Sequence, residues 1–323
     1  MLTIYESNGK ILNVHERSAD LTGDCVWIDL VQPTPDEVRF VEEELGIEVP
    51  TRAEMREIEP SNRFYQESGA YFMTATVLYN IEAPSPSVTP VTFILAGDRL
   101  VTVRYAQPKA FPLYLQRVEK GDAPCATGAF IMTGVLEALI HRMADLIERI
   151  QEDVDKLGQT VFDLRGGMQT RNRRLDIILK GCGGAGGNTA RAEEAASSIN
   201  RLLHFFVQAT HERGDDPRVR QRIKAISRDT NSLLDHTKFL SGRISFILDA
   251  TLGAISNEQN RIIKLFSVMA VILLPPTLVA SVYGMNFQNM PELHWSFGYP
   301  FALFLMVVAA IIPYYVFRRK GWL

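Results

Sequence analysis

The last sixty residues constrain this chain more than any other stretch. After Lys264 come eighteen residues without a charge, 265–282, and a second uncharged run occupies 295–317. A helix of roughly 20 apolar residues crosses a hydrocarbon core of about 30 Å. Each run is therefore long enough to span a bilayer, and the chain is expected to end in a two-span hairpin, with spans at about 262–282 and 300–317 and a loop at 283–299.

Charge sets the orientation, because cytoplasmic flanks collect Lys and Arg while short exported loops do not. Arg261 and Lys264 precede the first span, and Arg318, Arg319 and Lys320 follow the second. The loop has no Lys or Arg and a single acid, Glu292. Both termini are then inside, and residues 318–323 form a basic cytoplasmic tail. Tyr283, Trp295 and Tyr299 fit an aromatic belt at the outer boundary.

Stepping by three and four from Asn260 brings Ile263, Ser267, Ala270, Leu274, Thr277, Ser281 and Gly284 onto one helix stripe. Small and hydroxyl residues line packed helix interfaces as readily as pores. The polar residues at the two ends, Asn260 and Asn286, tilt the reading toward a pore. The bland alternative is a plain membrane anchor.

Several local motifs resemble the CorA family of magnesium and cobalt transport proteins. They are Asn257-Glu258-Gln259-Asn260-Arg261, the turn Pro275-Pro276-Thr277, Tyr283-Gly284-Met285-Asn286, Met290-Pro291-Glu292-Leu293 and the terminal Arg318-Arg319-Lys320-Gly321-Trp322-Leu323. The likeness is dense over roughly the last 70 residues and looser before them. Gly-Met-Asn is a weak signature by itself and a specific one directly after a membrane helix.

Upstream, 46% hydrophobic content and a mean hydropathy of +0.00 are too polar for a polytopic membrane protein. Five of the 34 bases and one of the 37 acids lie beyond residue 260, which leaves the preceding part with 29 bases and 36 acids. An acidic body of this kind is a poor nucleic-acid binder. Cys25, Cys125 and Cys182 lack paired spacing and read as buried thiols in a reducing compartment. There is no signal-peptide pattern at the N-terminus. Six scattered histidines offer no metal pair on one helix face, no catalytic spacing is present, and the chain does not read as an enzyme.

Residues 1–125 read as an α+β cytoplasmic domain, with strands expected at 2–5, 11–14, 26–30, 70–79, 91–96 and 100–105. Thr34-Pro35-Asp36-Glu37 is a capping box opening a helix that stops near Gly46, and Thr51 to Glu54 opens another. Residues 126–216 read as a helical hairpin. Within it Gly181-Cys182-Gly183-Gly184-Ala185-Gly186 matches a dinucleotide fingerprint, but helices flank it and no ribose-binding acid is correctly spaced. A helix–helix loop is the expectation there.

From Pro217 to Val282 no proline intervenes before Pro275, which predicts one stalk helix of about 100 Å running into the first span. Val219, Ile223, Ile226, Thr230, Leu233, Thr237, Leu240, Ile244, Ile247 and Thr251 make a seam on it for packing against neighbouring helices, and this seam supports oligomerisation.

The CorA resemblance implies a funnel-shaped homo-oligomer, a pentamer, in which the α+β domain leads into the stalk helix and two C-terminal transmembrane helices in a bacterial inner membrane. It implies a pore lined by the first span and a selectivity filter of Tyr283, Gly284, Met285 and Asn286 that holds Mg²⁺ through its hydration water. Co²⁺ is a possible second cargo. Family members close when intracellular Mg²⁺ binds between cytoplasmic domains; Asp229, Asp235 and Asp249 on the stalk are the candidates here for regulatory ligands. Arg261, Lys264 and the tail bases would form an inner basic collar. A transporter of Zn²⁺ or another transition metal on the same fold, and an anchored oligomer without transport, stay open.

Overall fold

The computed structural model describes residues 1–7, 12–16, 25–163, 168–285, 290–291 and 295–321. They fall into two compact units, Met1–Leu248 and Asp249–Leu323.

The first unit is built on a seven-stranded sheet. Its strands are β1 (Leu2–Ser7), β2 (Leu12–Glu16), β3 (Cys25–Val31), β4 (Phe64–Glu67), β5 (Ala70–Tyr79), β6 (Ser87–Ala96) and β7 (Arg99–Arg104), in the order β2-β1-β3-β7-β6-β5-β4. The pair β3–β7 is parallel and its neighbours are antiparallel. All seven residues of β3 are buried, as expected for a strand covered on both faces. On one face Ile28, Leu30, Val101 and Val103 meet Val41, Ile47 and Met55 around helix α1 (Pro35–Leu45). On the other, Trp27 packs against Phe111 and Tyr114 of helix α3 (Ala110–Glu119) and stacks on Tyr5 at 4.4 Å.

A polar network crosses the middle of that second face. Trp27 Nε1–H donates to Thr102 Oγ1 at 2.9 Å, and Thr102 Oγ1–H donates to Asp29 Oδ1 at 2.7 Å. The Arg104 guanidinium closes on the Asp29 carboxylate at 2.7 Å and lies 4.3 Å from the centre of the Phe111 ring. Burial, with the Asp29 charge adding to it, pushes the Tyr5 phenol up to about 12.

The capping box at α1 forms in both directions, and the helix ends in a left-handed Gly46. A second box forms at Thr51, whose N–H donates to Glu54 Oε2 at 2.7 Å, but it opens a single 3-10 turn, Glu54–Arg56. Glu57 is already extended after that turn, Pro60 keeps the residue before it, Glu59, out of the helical region, and Pro60 itself begins the short helix α2 (Pro60–Arg63). The edge strand β4 was not among the expected strands: four residues, two of them exposed and polar, are too short to show a strand pattern.

Beyond α3 the unit continues in three long helices: α4 (Gly128–Phe162), α5 (Met168–Glu212) and α6 (Pro217–Tyr283). Two expectations fail here. The glycine-rich segment is no loop but lies inside α5. Its small side chains allow close helix contact: a methyl group on Gly181 would fall 2.6 Å from Leu157 Cδ2 of α4. The seam from Val219 to Ile247 faces inward within the chain and is not available to a second copy. Val219, Ile223, Ile226, Thr230, Thr237, Leu240, Ile244 and Ile247 are all buried. Arg222–Glu137, His236–Gln151 and Arg243–Asp155 tie α6 to α4 along it. The seam threonines fit because each satisfies its hydroxyl on its own helix, Thr230 on the Ile226 carbonyl and Thr237 on the Leu234 carbonyl.

The second unit holds the rest of α6 and helix α7 (Gly298–Arg319), both long and apolar enough to cross a membrane. Pro275 and Pro276 lie within α6, and the continuous helix expected from Pro217 to Val282 runs through them. In an apolar medium a helix tolerates prolines where neighbouring groups or small backbone adjustments serve the freed carbonyls.

Candidate functional site

Helix α6 presents two faces in the second unit. Val268 is 2% exposed, and Ile272, Pro275, Pro276, Val279 and Tyr283 are half-buried on the same side. Asn260, Ile263, Ser267, Ala270, Leu274, Thr277 and Ser281 are all exposed. At 100° per residue the mean directions of these two sets lie about 160° apart. The small and polar stripe thus points away from the covered side, where α7 is the other described helix of the unit, with Gly298 and Ala302 buried.

The same register continues toward the N-terminus of α6. Asp235, Phe239, Gly242, Phe246, Asp249, Gly253 and Ser256 precede Asn260 at alternating steps of four and three, and every one is exposed. Fifteen positions from Asp235 to Gly284 follow this 3.5-residue spacing and are exposed, and such a series keeps to one side of a helix only where the helix supercoils. Asp235 also pairs with Lys238 at 3.3 Å. Asp229 is exposed and lies off the repeat.

Thr277 Oγ1 donates its proton to the Leu274 carbonyl at 2.8 Å, which leaves its lone pairs turned outward as acceptors. At the end of α6 the Gly284 N–H donates to the Ala280 carbonyl at 2.9 Å and the Met285 N–H to Val282 at 3.3 Å. A methyl group on Gly284 would come within 3.0 Å of the Ala280 carbonyl oxygen, so a glycine suits this tight closure. Met285 is exposed and Tyr283 half-buried. Asn286 and Glu292 lie outside the described residues.

Of the basic collar, Arg261 pairs with Glu258 at 3.2 Å, and Lys264, Arg318, Arg319 and Lys320 are exposed. Glu258 is itself buried. Among the described residues no three His, Cys, Asp or Glu side chains of one chain converge to hold a metal ion. Asp229, Asp235 and Asp249 do not come together within the chain; any ion they hold would need ligands from another copy or from water.

The family described as CorA-like Mg²⁺ transporter protein matches residues 22–319. A magnesium transport protein CorA of Pasteurella multocida is 34% identical over 316 residues, covering 98% of each chain. The CorA proteins of Salmonella typhimurium and Escherichia coli K12 are 35% and 33% identical over 306 and 330 residues, covering 93% and 100% of this chain and 92% and 100% of their own. In fold, the complete CorA magnesium transporter of Methanocaldococcus jannaschii superposes with a TM-score of 0.80 at 16% identity, over 100% of this chain and 99% of that one. Full-length CmaX gives 0.66 at 18% identity, over 100% and 98%. With two apolar helices at its end, a sheet-based domain before them and relatives matched along its whole length, the chain belongs to the CorA-like Mg²⁺ transporter family.

Proposed function

We propose that this protein is a passive, potential-driven Mg²⁺ uptake channel assembled from several copies, a pentamer as the CorA resemblance implies, with α6 of each copy lining a central path. The observation that carries this reading is the stripe of α6 that holds Asn260, Ser267, Ala270, Thr277 and Ser281, exposed on the side away from the covered face of the membrane segment. Two spans cannot enclose an aqueous path, and a ring of copies can.

Mg²⁺ gives up its water reluctantly. No carboxylate lies on either span, so the wall is suited to the hydrated ion. Asn286 amide oxygens, with the carbonyls of the Tyr283-Gly284-Met285 end, would select for hydrated size and charge by accepting from the ion's water. Outward lone pairs on Thr277 and the Asn260 amide would make further polar rings. Ile263 and Leu274 between them would close the path by dewetting. Glu292 at the outer loop would gather cations. With both termini cytoplasmic in a bacterial inner membrane, an interior-negative potential favours entry by about 4.6 kcal/mol per 100 mV for a double charge.

Regulation would follow from carboxylates along the same repeat. Asp235 and Asp249, repeated around the axis, would repel one another, and intracellular Mg²⁺ between copies would relieve that repulsion and favour closure. Asp229 is the weaker candidate because it lies off the repeat. Co²⁺, which takes a similar hydration shell, is the second cargo that the resemblance implies. The test is Mg²⁺ uptake into liposomes bearing the purified protein with and without Asn286→Ala. The expected result is altered flux or ion preference; unchanged flux together with unchanged preference removes the selectivity ring.

A further inference from the structure

Five of the seven residues 181–187 are glycine, and all seven lie in the interior of α5. Each glycine weakens a helix about five-fold relative to alanine. Among the described residues six other glycines, Gly46 and Gly214 among them, have positive φ, but none of these five does. Close packing accounts for Gly181 against Leu157. At Gly183 and Gly184 an added methyl group would meet nothing within 4 Å, at Gly186 it would make an ordinary 3.9 Å contact with Ile244, and at Gly187 it would reach the mobile end of Arg191 at 3.5 Å. The helix is therefore weakened at points where neither backbone nor neighbours require it.

Two further contacts bear on the same place. Thr189 Oγ1 donates to the Ala185 carbonyl at 2.8 Å, a bond to the preceding turn that bends helices. Asn188 Nδ2 donates to the Pro84 carbonyl at 3.0 Å, fixing the C-terminal edge of the glycine segment to the β5–β6 connection. Beyond it α5 is held to the sheet, where Ser198 Oγ accepts from the Thr76 N–H at 2.8 Å and Phe205 meets Phe64. Before it, α5 lies against the end of α4, and that end grips α6 through Asp155–Arg243 at 2.5 Å and Phe162–Phe246.

We infer that residues 181–187 are a helical hinge. Its loosening lets the first part of α5, and the end of α4 packed on it, follow a displacement of α6 while the sheet-bound part stays in place. The inference rests on the reading of α6 as the element that moves when the channel closes.

Hydrogen exchange on the intact protein in lipid nanodiscs tests it, paired with uptake measured across a series of internal Mg²⁺ concentrations. In the parent, amides of residues 182–188 should exchange faster than those of residues 195–206. Gly183→Ala with Gly184→Ala, both in open space, should slow that exchange about 25-fold, two five-fold steps, and should shift the internal Mg²⁺ concentration that half-closes the channel. If exchange at 182–188 already matches the sheet-bound part, or is unchanged by the substitutions, there is no hinge. If exchange slows and closure does not shift, the hinge has no part in gating, although the channel reading survives because uptake persists. If neither protein takes up Mg²⁺, the channel reading fails and the exchange result still decides whether the helix bends here.

Discussion

The Asp29–Arg104 pair offers the sharpest test of how the cytoplasmic unit is held together. Asp29 is 3% exposed, and its carboxylate receives Thr102 Oγ1–H at 2.7 Å and Arg104 Nη2–H at 2.7 Å. Replacing Asp29 with Ala leaves the guanidinium buried without its counter-charge, which costs about 3–5 kcal/mol. For a unit of this size each kcal/mol moves the melting point by about 2–4 °C, so the expected drop is about 6–20 °C. Removing both charges, as Asp29→Leu with Arg104→Met, should recover part of that loss, because burying an ion pair gives back little more than its desolvation cost. What remains is the acceptor lost to the Thr102 hydroxyl, about 1–3 kcal/mol, and the ring contact of Arg104 with Phe111, about 0.5–2 kcal/mol. The measurement is thermal unfolding of the detergent-solubilised full chain at one fixed Mg²⁺ concentration, since a bound ion raises the melting point. Fluorescence of Trp27, fully buried beside the pair, reports the transition. A single substitution that melts within 2 °C of the parent, or a double no better than the single, would refute the reasoning.

Gly128→Ala should destabilise by about 1–3 kcal/mol, because its methyl group would fall 2.4 Å from the Leu100 backbone nitrogen; chemical unfolding of the full chain measures it. For Glu37, burial favours the neutral carboxyl, but the N–H groups of Thr34 and Leu2 and the terminal ammonium outweigh it and hold the pKa below the ordinary 4.5. Its contribution to stability is then complete above about pH 5 and lost as pH falls through and below 4.5, so Glu37→Gln should flatten the acid limb of a stability–pH curve. Thr277→Val removes the outward acceptor while keeping the shape, and should lower Mg²⁺ flux in liposomes without changing assembly size on a sizing column. Cobalt hexammine, a mimic of the hydrated ion, should block uptake competitively; indifference to it would favour a transporter that strips water from a transition metal.

Much of this architecture is legible in the letters because its determinants are local. A run of eighteen uncharged residues needs no partner to declare itself a membrane helix, and the capping box at Thr34 and the β-branched and aromatic content of β5 are likewise local. The reading failed where a residue's meaning depends on what lies opposite. The segment 181–187 reads as a loop by composition, yet α4 and α6 alongside let it persist as helix.

Sequence by itself determined the two spans, the stalk helix that runs into the first of them and six of the seven described strands, since hydrophobic period and charge act on neighbours in the chain. Which face of α6 is covered was decided only in three dimensions. Its apolar seam and its exposed repeat both have helical spacing, and nothing local says that α4 claims the first. Only the packing of Glu137, Gln151 and Asp155 against Arg222, His236 and Arg243 turns that seam inward and leaves Asp235, Phe239, Gly242 and Phe246 outside.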